Sequence, residues 1–403
     1  VSARIAVVLG LGFGDEGKGS LVDWLARRAD APPLVVRWNG GPQAAHHVVT
    51  DDGRTHCFAQ FGAASFVPGA RTHLGPEMAV DPYAVHREAE ALARVGVPDA
   101  LAGLTIDPGA VLATPWHAIV NRVRELARGG ARHGTTGRGV AEAKLGRARL
   151  CAGQLGRGLA AALEPLRREL AETARGLAVS DEARALAARA DDRDLIEVFL
   201  DAAGGLEARV SAALPAADAV ILEGAQGALL DRDHGFFPHV TPSRVTRAAA
   251  EEAARALGLV GALEVWGVLR AYHTRHGEGP LPSEDAALTL RLPELHNEGA
   301  GWAGAFRVGW FDAVLARHAL ACAGPVDRLA LTCLDRLAEP AVVDAWEPRD
   351  LAGVPASERT AVAWAARVRV RRVPDLVGAV EEALGQRVAL ESHGPTAAGK
   401  RPR

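Results

Sequence analysis

An aspartate stands inside a glycine-rich octet, Gly12-Phe13-Gly14-Asp15-Glu16-Gly17-Lys18-Gly19. The spacing G-x4-G-K is that of a phosphate-cradling loop, but Gly19 occupies the place where such loops carry a Ser or Thr for magnesium. A carboxylate beside a polyphosphate is repelled unless it holds a metal ion or removes a proton during the reaction. Asp15 is therefore a candidate for both tasks. Lysine occurs only at positions 18, 144 and 400, with arginine used elsewhere, which favours a role for Lys18. A plain glycine turn joining a strand to a helix is the other reading of the octet.

The elements around it fit the first reading. Ile5 to Leu9 is an apolar run of buried-strand type, and Ser20 to Arg27 has amphipathic helical spacing. Strand, glycine turn and helix aim backbone N–H groups and a helix N-terminus at an anion. A second strand, Leu34 to Trp38, opens into Asn39 to His47, whose histidines could donate to a phosphate or remain solvated. A helix is predicted from Tyr83 to Arg94, a strand from Leu104 to Asp107 and another helix from Trp116 to Arg128. His133-Gly134-Thr135-Thr136-Gly137-Arg138-Gly139 follows, a loop of hydroxyls and arginine that suits a monophosphate or is a flexible surface turn. Residues 157–215 read as a helical insertion without evident chemistry. Strands ending near Leu222, Tyr272 and Thr332 lead into Glu223 to Gly227, Thr274 to Pro280 and Cys333-Leu334-Asp335. Beyond residue 336 the pattern is irregular. Polar loops after apolar strands predict an α/β fold: a large, mainly parallel twisted sheet with helices on both faces and its site at the C-terminal strand ends.

The 403 residues, 24% charged and 48% apolar, suffice for one large α/β domain spanning 1–403. A net charge of −3 argues against a nucleic-acid binder working by bulk electrostatics. Cys57, Cys151, Cys322 and Cys333 are scattered, which reads as reduced thiols rather than a zinc site or a disulfide framework. No apolar run reaches the ~18 residues of a membrane span. Nor does the start of the sequence read as a signal peptide, so a cytoplasmic protein is expected.

Taken together, these loops resemble the adenylosuccinate synthetase family. Gly14 to Gly19 matches its GDEGKG, Gly40 to His47 its GGHNAGHT, and Gly134 to Gly139 its GTTGRG. Glu223 to Gly235 matches EGAQGxLLDxDHG, Val240 to Ser243 VTxS, and Ala271 to Glu284 AYxTRxGxGPxPxE. Gly309 to Leu315 matches GWFDAVL, Leu331 to Asp335 LTxLD, and Ser392 to Pro395 a final SxGP. The resemblance implies a GTP-dependent C–N ligase and a homodimer. Asp15 would take the N1 proton of IMP, O6 would attack the γ-phosphate of GTP beside His46, and the amine of L-aspartate would displace the phosphate. It further implies GTP contacts at Gly14, Glu16, Gly17, Lys18, Gly19, Asp335, Ser392 and Gly394. IMP contacts would fall at Asp15, Gln43, Thr136, Gln226 and Thr241, with Arg147 reaching IMP from the second subunit. Mg²⁺ would be held by Asp15 and the Ala45 carbonyl.

The sequence departs from the family at the amine. Where the family has TTGRxRRxGW, this chain has Gly301 to Trp310, with Trp302, Phe306 and Arg307 as the notable side chains and one arginine remaining. Pro42 and Gln43 replace the usual His and Asn, Cys333 replaces the lysine beside Asp335, and the region after 336 is shorter than expected. Three readings follow. The chain is an adenylosuccinate synthetase, or it couples the activated purine to another, less acidic amine or uses another purine nucleotide in specialised metabolism, or it is a non-enzymatic nucleotide binder.

Overall fold

The computed structural model describes residues 4–294 and 301–403. Nine strands form its main sheet: β1 Arg4–Gly10, β2 Leu34–Arg37, β3 Arg71–Leu74, β4 Leu104–Ile106, β5 Ala219–Gly227, β6 Leu263–Arg270, β7 Arg328–Thr332, β8 Val388–Ser392 and β9 Lys400–Pro402. They lie in the order β9-β8-β7-β6-β1-β5-β2-β3-β4, and every neighbouring pair is parallel except β8 with β9. The C-terminal ends of the parallel strands therefore share one edge, and the loops that follow them meet there.

Strand alternation divides the apolar residues between two layers. Val8, Val35 and Ile221 face one side, where helices α1 Lys18–Arg27, α2 Pro82–Arg94 and α3 Pro115–Arg128 bury Leu21, Val85 and Trp116. Val7, Leu9, Val36 and Leu222 face the other, covered by the alanine face of the helix Arg247–Ala256. The region 157–215 is indeed largely helical, with helices Leu159–Leu177, Asp181–Ala188 and Arg193–Gly204. It is pinned to α3 where Trp116 Nε1 donates to the Ala190 carbonyl at 2.8 Å and the Trp116 ring meets Phe199 edge-on. Helix starts are set by side-chain caps: Asp81 accepts from Ala84 N, Thr114 from His117 N and Asp312 from Val314 and Leu315 N.

The irregular reading beyond residue 336 does not hold. A strand Ala341–Glu347 pairs with Phe311–Asp312 and with Arg367–Arg372 in a small second sheet, before a helix Leu376–Leu384 leads into β8. The pattern is hard to read because Arg367–Arg372 is an exposed edge strand whose arginines mask its alternation.

Candidate active site

A cavity of about 450 Å³ opens at the C-terminal edge of the sheet, beside β1. Asp15, Gln43, His46, Thr136, Gln226 and Thr241 all line it, as do Gly14 and Ala45. Six expected site residues from five segments are thus brought to one place.

The octet 12–19 forms the turn from β1 into α1. Lys18 is only 1% exposed and does not reach into the cavity. Its Nζ donates to the Gly14 carbonyl and to Glu16 Oε2, both at 2.7 Å, while Glu16 Oε1 accepts the Gly14 N–H at 2.7 Å. The Glu16 carboxylate lies against Gly10, Gly12 and Gly227, where any Cβ would collide with it. Gly19 also has a steric reason. A Cβ there would stand 2.8 Å from the Cβ and 3.0 Å from the carbonyl carbon of His46. The residue that replaces the usual Ser or Thr makes room for the histidine loop.

His46 Nδ1 is bound to Glu223 Oε1, and Glu223 Oε2 accepts the Ala63 N–H at 2.9 Å. Arg37 and Glu223 are register partners on β2 and β5, both wholly buried. Burial pushes the Glu223 carboxyl up, but Arg37 and His46 outweigh it and hold it below its ordinary value. Burial, and then the Arg37 charge, push the His46 imidazole down to about 4 against the pull of Glu223. His46 is therefore a neutral ring oriented by Glu223, with Nε2 free of partners among the described residues.

Asp15 Oδ2 lies 2.9 Å from His276 Nε2. The contact is electrostatic, because Oδ2 receives no properly directed hydrogen bond. Burial raises the Asp15 carboxyl, yet His276, Arg270 and Lys18 together bring it below its ordinary value. Arg270 also donates to the Asp15 carbonyl at 3.0 Å and to the Tyr272 hydroxyl at 2.6 Å. Gln43 Oε1 is buried here without a partner, and Gln226 sits at φ 68, in the left-handed region that a non-glycine residue adopts at a cost. A hard cation fits the donor set, since the Asp15 carboxylate, whose Oδ2 has no well-directed hydrogen bond, and Ala45 both line the cavity. Among the described residues no group of three or more His, Cys, Asp or Glu side chains stands ready for a metal, so phosphate oxygens would have to complete the shell.

The loop 133–139 is held by Glu125, which accepts the N–H groups of His133 and Gly134, both at 3.1 Å. Asp231 is structural in the same way: it accepts the N–H groups of Asp233, His234 and Val245. Asp335, Ser392 and Gly394 come together apart from the cavity, because β7 and β8 are neighbours and end side by side. Ser392 Oγ and Lys400 Nζ both donate to the Gly394 carbonyl, at 3.1 Å each. Thr332 Oγ1 donates to the Glu16 carbonyl at 2.7 Å and ties this patch to the octet. Arg147 is exposed and does not line the cavity of its own chain.

The stretch 301–310 contributes only Ala303 to the cavity wall. Trp302 covers Gly137, Phe306 packs on His276 with ring centroids 5.0 Å apart, and Arg307 is bonded to the turn 277–279. Sequence reasoning assigned no role to His276, Glu223 or Arg270. All three stand within or beside the family-like motifs, so motif membership was the available signal; their partners lie 261, 177 and 255 residues away.

Comparison with known proteins follows the same lines. A family model described as adenylosuccinate synthetase matches residues 7–353. The fold is that of the fully ligated adenylosuccinate synthetase from Plasmodium falciparum, with 21% identity, a TM-score of 0.80 and 100% of each chain covered. It is also similar to the succinoaminodeoxyadenylate synthetase of cyanophage S-2L, a structure bound to dGMP and to dATP as energy donor. There the identity is 20% and the TM-score 0.60, covering 100% of this chain and 96% of that one.

Proposed function

The chain belongs to the adenylosuccinate synthetase family, and from that premise we propose that it is a nucleoside-triphosphate-dependent ligase that replaces the 6-oxygen of an IMP-type purine nucleotide with an amine. The convergence of Asp15, His46, Gln226 and Thr241 on one cavity is the observation that supports this reading most.

A lactam oxygen is a poor nucleophile and a poor leaving group, so the chemistry needs a base first and phosphorylation second. Asp15 takes the proton from N1, and electron density moves to O6. The O6 lone pair forms a bond to the γ-phosphorus as the bond to the β–γ bridging oxygen breaks, releasing the nucleoside diphosphate. His46, oriented by Glu223, stabilises the charge on the transferring phosphoryl group. The amine nitrogen then bonds to C6, the C6–O6 bond breaks, phosphate leaves carrying O6, and the surplus amine proton passes to solvent. Mg²⁺, held by Asp15, the Ala45 carbonyl and phosphate oxygens, would supply neutralising charge.

The octet backbone, with Gly14, Glu16, Gly17 and Gly19, is assigned to the β- and γ-phosphates, with Lys18 stiffening it. Gln43, Thr136, Gln226 and Thr241 are assigned to the purine nucleotide. The patch of Asp335, Ser392 and Gly394 suits the donor base, with GTP as the donor; an adenine donor is the competing choice, since the cyanophage relative was solved with dATP. Arg147, exposed on its own chain, is assigned to the cavity of a second copy in a homodimer. L-Aspartate is the amine to assay first, because the family points to it.

The test is isotope exchange within GTP labelled with ¹⁸O at the β–γ bridge, incubated with IMP and Mg²⁺ and no amine. Reversible transfer lets the β-phosphate rotate, so the label is expected to scramble into its non-bridging positions. Asp15→Asn is expected to slow this by about 10²–10⁴-fold. No scrambling by the unmodified protein, or equal scrambling by the variant, overturns the assignment.

A further inference from the structure

With Asp15 at N1 in the reading above, the amine attacks the adjacent C6, and the wall that carries His276, 2.9 Å from the Asp15 carboxylate, borders that position. It is built from the turn Gly277 to Pro280 and the stretch around Ala303, which touch closely: a Cβ on Gly277 would fall 1.8 Å from the Ala303 carbonyl oxygen.

Two arginines underlie this wall, and both are already engaged. Arg307 Nε and Nη2 donate to the Gly277 carbonyl at 3.0 and 2.7 Å. Its Nη2 also donates to the Gly279 carbonyl at 2.7 Å, and its Nη1 meets Glu284 at 2.6 Å. Arg275, 2% exposed, donates to the carbonyls of Glu278 and Pro280 at 3.0 Å each and to that of His239 at 3.4 Å. The turn is wrapped so tightly round its guanidinium that a Cβ on Gly279 would stand 2.0 Å from Nη2. A guanidinium fixed by three or four carbonyl and carboxylate acceptors has no free fork for a substrate carboxylate. Arg138 is exposed and does not line the cavity; Arg124 and Arg128 do line it, but they are paired with the Glu142 and Glu125 carboxylates. The residues 295–300, Leu-His-Asn-Glu-Gly-Ala, contain neither arginine nor lysine.

What this wall does offer is an exposed carboxylate, Glu278, and the imidazoles of His133, His239 and His276. A dicarboxylate placed here would meet Glu278 at close range while each of these guanidiniums is already engaged, a like-charge juxtaposition that specific sites use to reject ligands. We infer that the amine acceptor is not a dicarboxylate but a small amine whose far end is a hydrogen-bond donor, an amide or a second amine, received by Glu278 and the neighbouring imidazoles. This rests on the purine-activation reading above and names the substrate class of the same site.

The test compares L-aspartate, L-asparagine and 1,3-diaminopropane as acceptors with IMP, GTP and Mg²⁺, following coupled purine by mass spectrometry and kcat/KM by GDP release. L-Asparagine is the matched probe, since it differs from L-aspartate by one charge. At least one of the two donor-ended amines is expected to exceed L-aspartate by tenfold or more in kcat/KM. Glu278→Gln, at an exposed position, is expected to shift the preference toward L-aspartate by a similar factor. Coupling of L-aspartate at an equal or higher kcat/KM, or coupling of neither donor-ended amine, overturns the inference. The amine-free isotope exchange separates the two levels. Exchange together with an aspartate preference sinks the acceptor assignment alone, whereas absence of exchange sinks the activation chemistry itself.

Discussion

Glu223 and His46, 177 residues apart in sequence, share a buried hydrogen bond in which one carboxylate oxygen holds Nδ1 while the other is fixed by the Ala63 N–H. The ring can then turn only Nε2 to a ligand. Glu223→Gln keeps the shape but removes the charge that would support an imidazolium against a phosphoryl group. Isotope exchange and kcat are expected to fall by roughly 10²-fold, with KM for the nucleotides changing much less. A change confined to KM would mean that the pair only shapes the pocket.

Gly19 tests whether the octet and the histidine loop form one unit. Gly19→Ala places a methyl group 2.8 Å from His46 Cβ and close to its backbone. The loop must move by several tenths of an ångström, at a cost of about 1–3 kcal/mol. The expected result is a lowered melting temperature together with activity lost beyond what the stability change explains. Unchanged activity would show that His46 has room the geometry denies it.

Lys18 and Glu16 form a pair with side chains 1% and 4% exposed. Removing one member leaves a buried unpaired charge, so Lys18→Met is expected to destabilise the fold by about 3–5 kcal/mol. The double variant Lys18→Met with Glu16→Gln is expected to recover at least half of that in urea denaturation, although neither protein turns over. Equal losses in the single and double variants would mean that the pair is not what holds the octet.

Acid sensitivity follows from buried neutral histidines. Burial pushes His117 and His273 from 6.5 down to about 4. Between those values the unfolded chain binds the proton and the folded chain does not, so stability is present above pH 6.5 and is lost as pH falls toward 4. Each ring contributes roughly 3 kcal/mol at most to this loss. His117 has a clear role in its neutral form: its Nδ1 accepts the Thr114 N–H at 3.1 Å in a capping box. Glutamine is a natural capping-box residue that does not titrate in this range. His117→Gln is expected to flatten the urea midpoint against pH between 6.5 and 4; a profile of unchanged slope would refute the assignment.

The order of strands and polar loops could be read from sequence because each loop follows its own apolar run, a local signal. The rule that parallel strands share a C-terminal edge gave only the gathering of their polar loops; that Gln226 and Thr241 join Asp15 and His46 there was implied by the family resemblance. Arg307 could not be read correctly as far as its partners go, since these are mostly main-chain carbonyls, which every residue possesses and no sequence pattern marks. His276 drew no attention because its neighbour Asp15 lies on another strand's loop, 261 positions earlier. Arg147 lies outside the cavity of its own chain, and its assignment to a second copy is part of the proposal. The small sheet of Ala341–Glu347 was hidden by an arginine-rich partner strand, where solvent exposure suppresses the apolar half of the alternation.

The one lysine of the octet, finally, is neutralised before any ligand arrives, because Glu16 already pairs with Lys18. A cradle with a bare ammonium would attract any small anion, including the orthophosphate that each catalytic cycle would release. Here such an anion finds no uncompensated cation and can gain only main-chain N–H bonds, whereas a triphosphate brings its base and its metal with it. Under the proposed chemistry, the resting loop is therefore expected to give only weak product inhibition by phosphate.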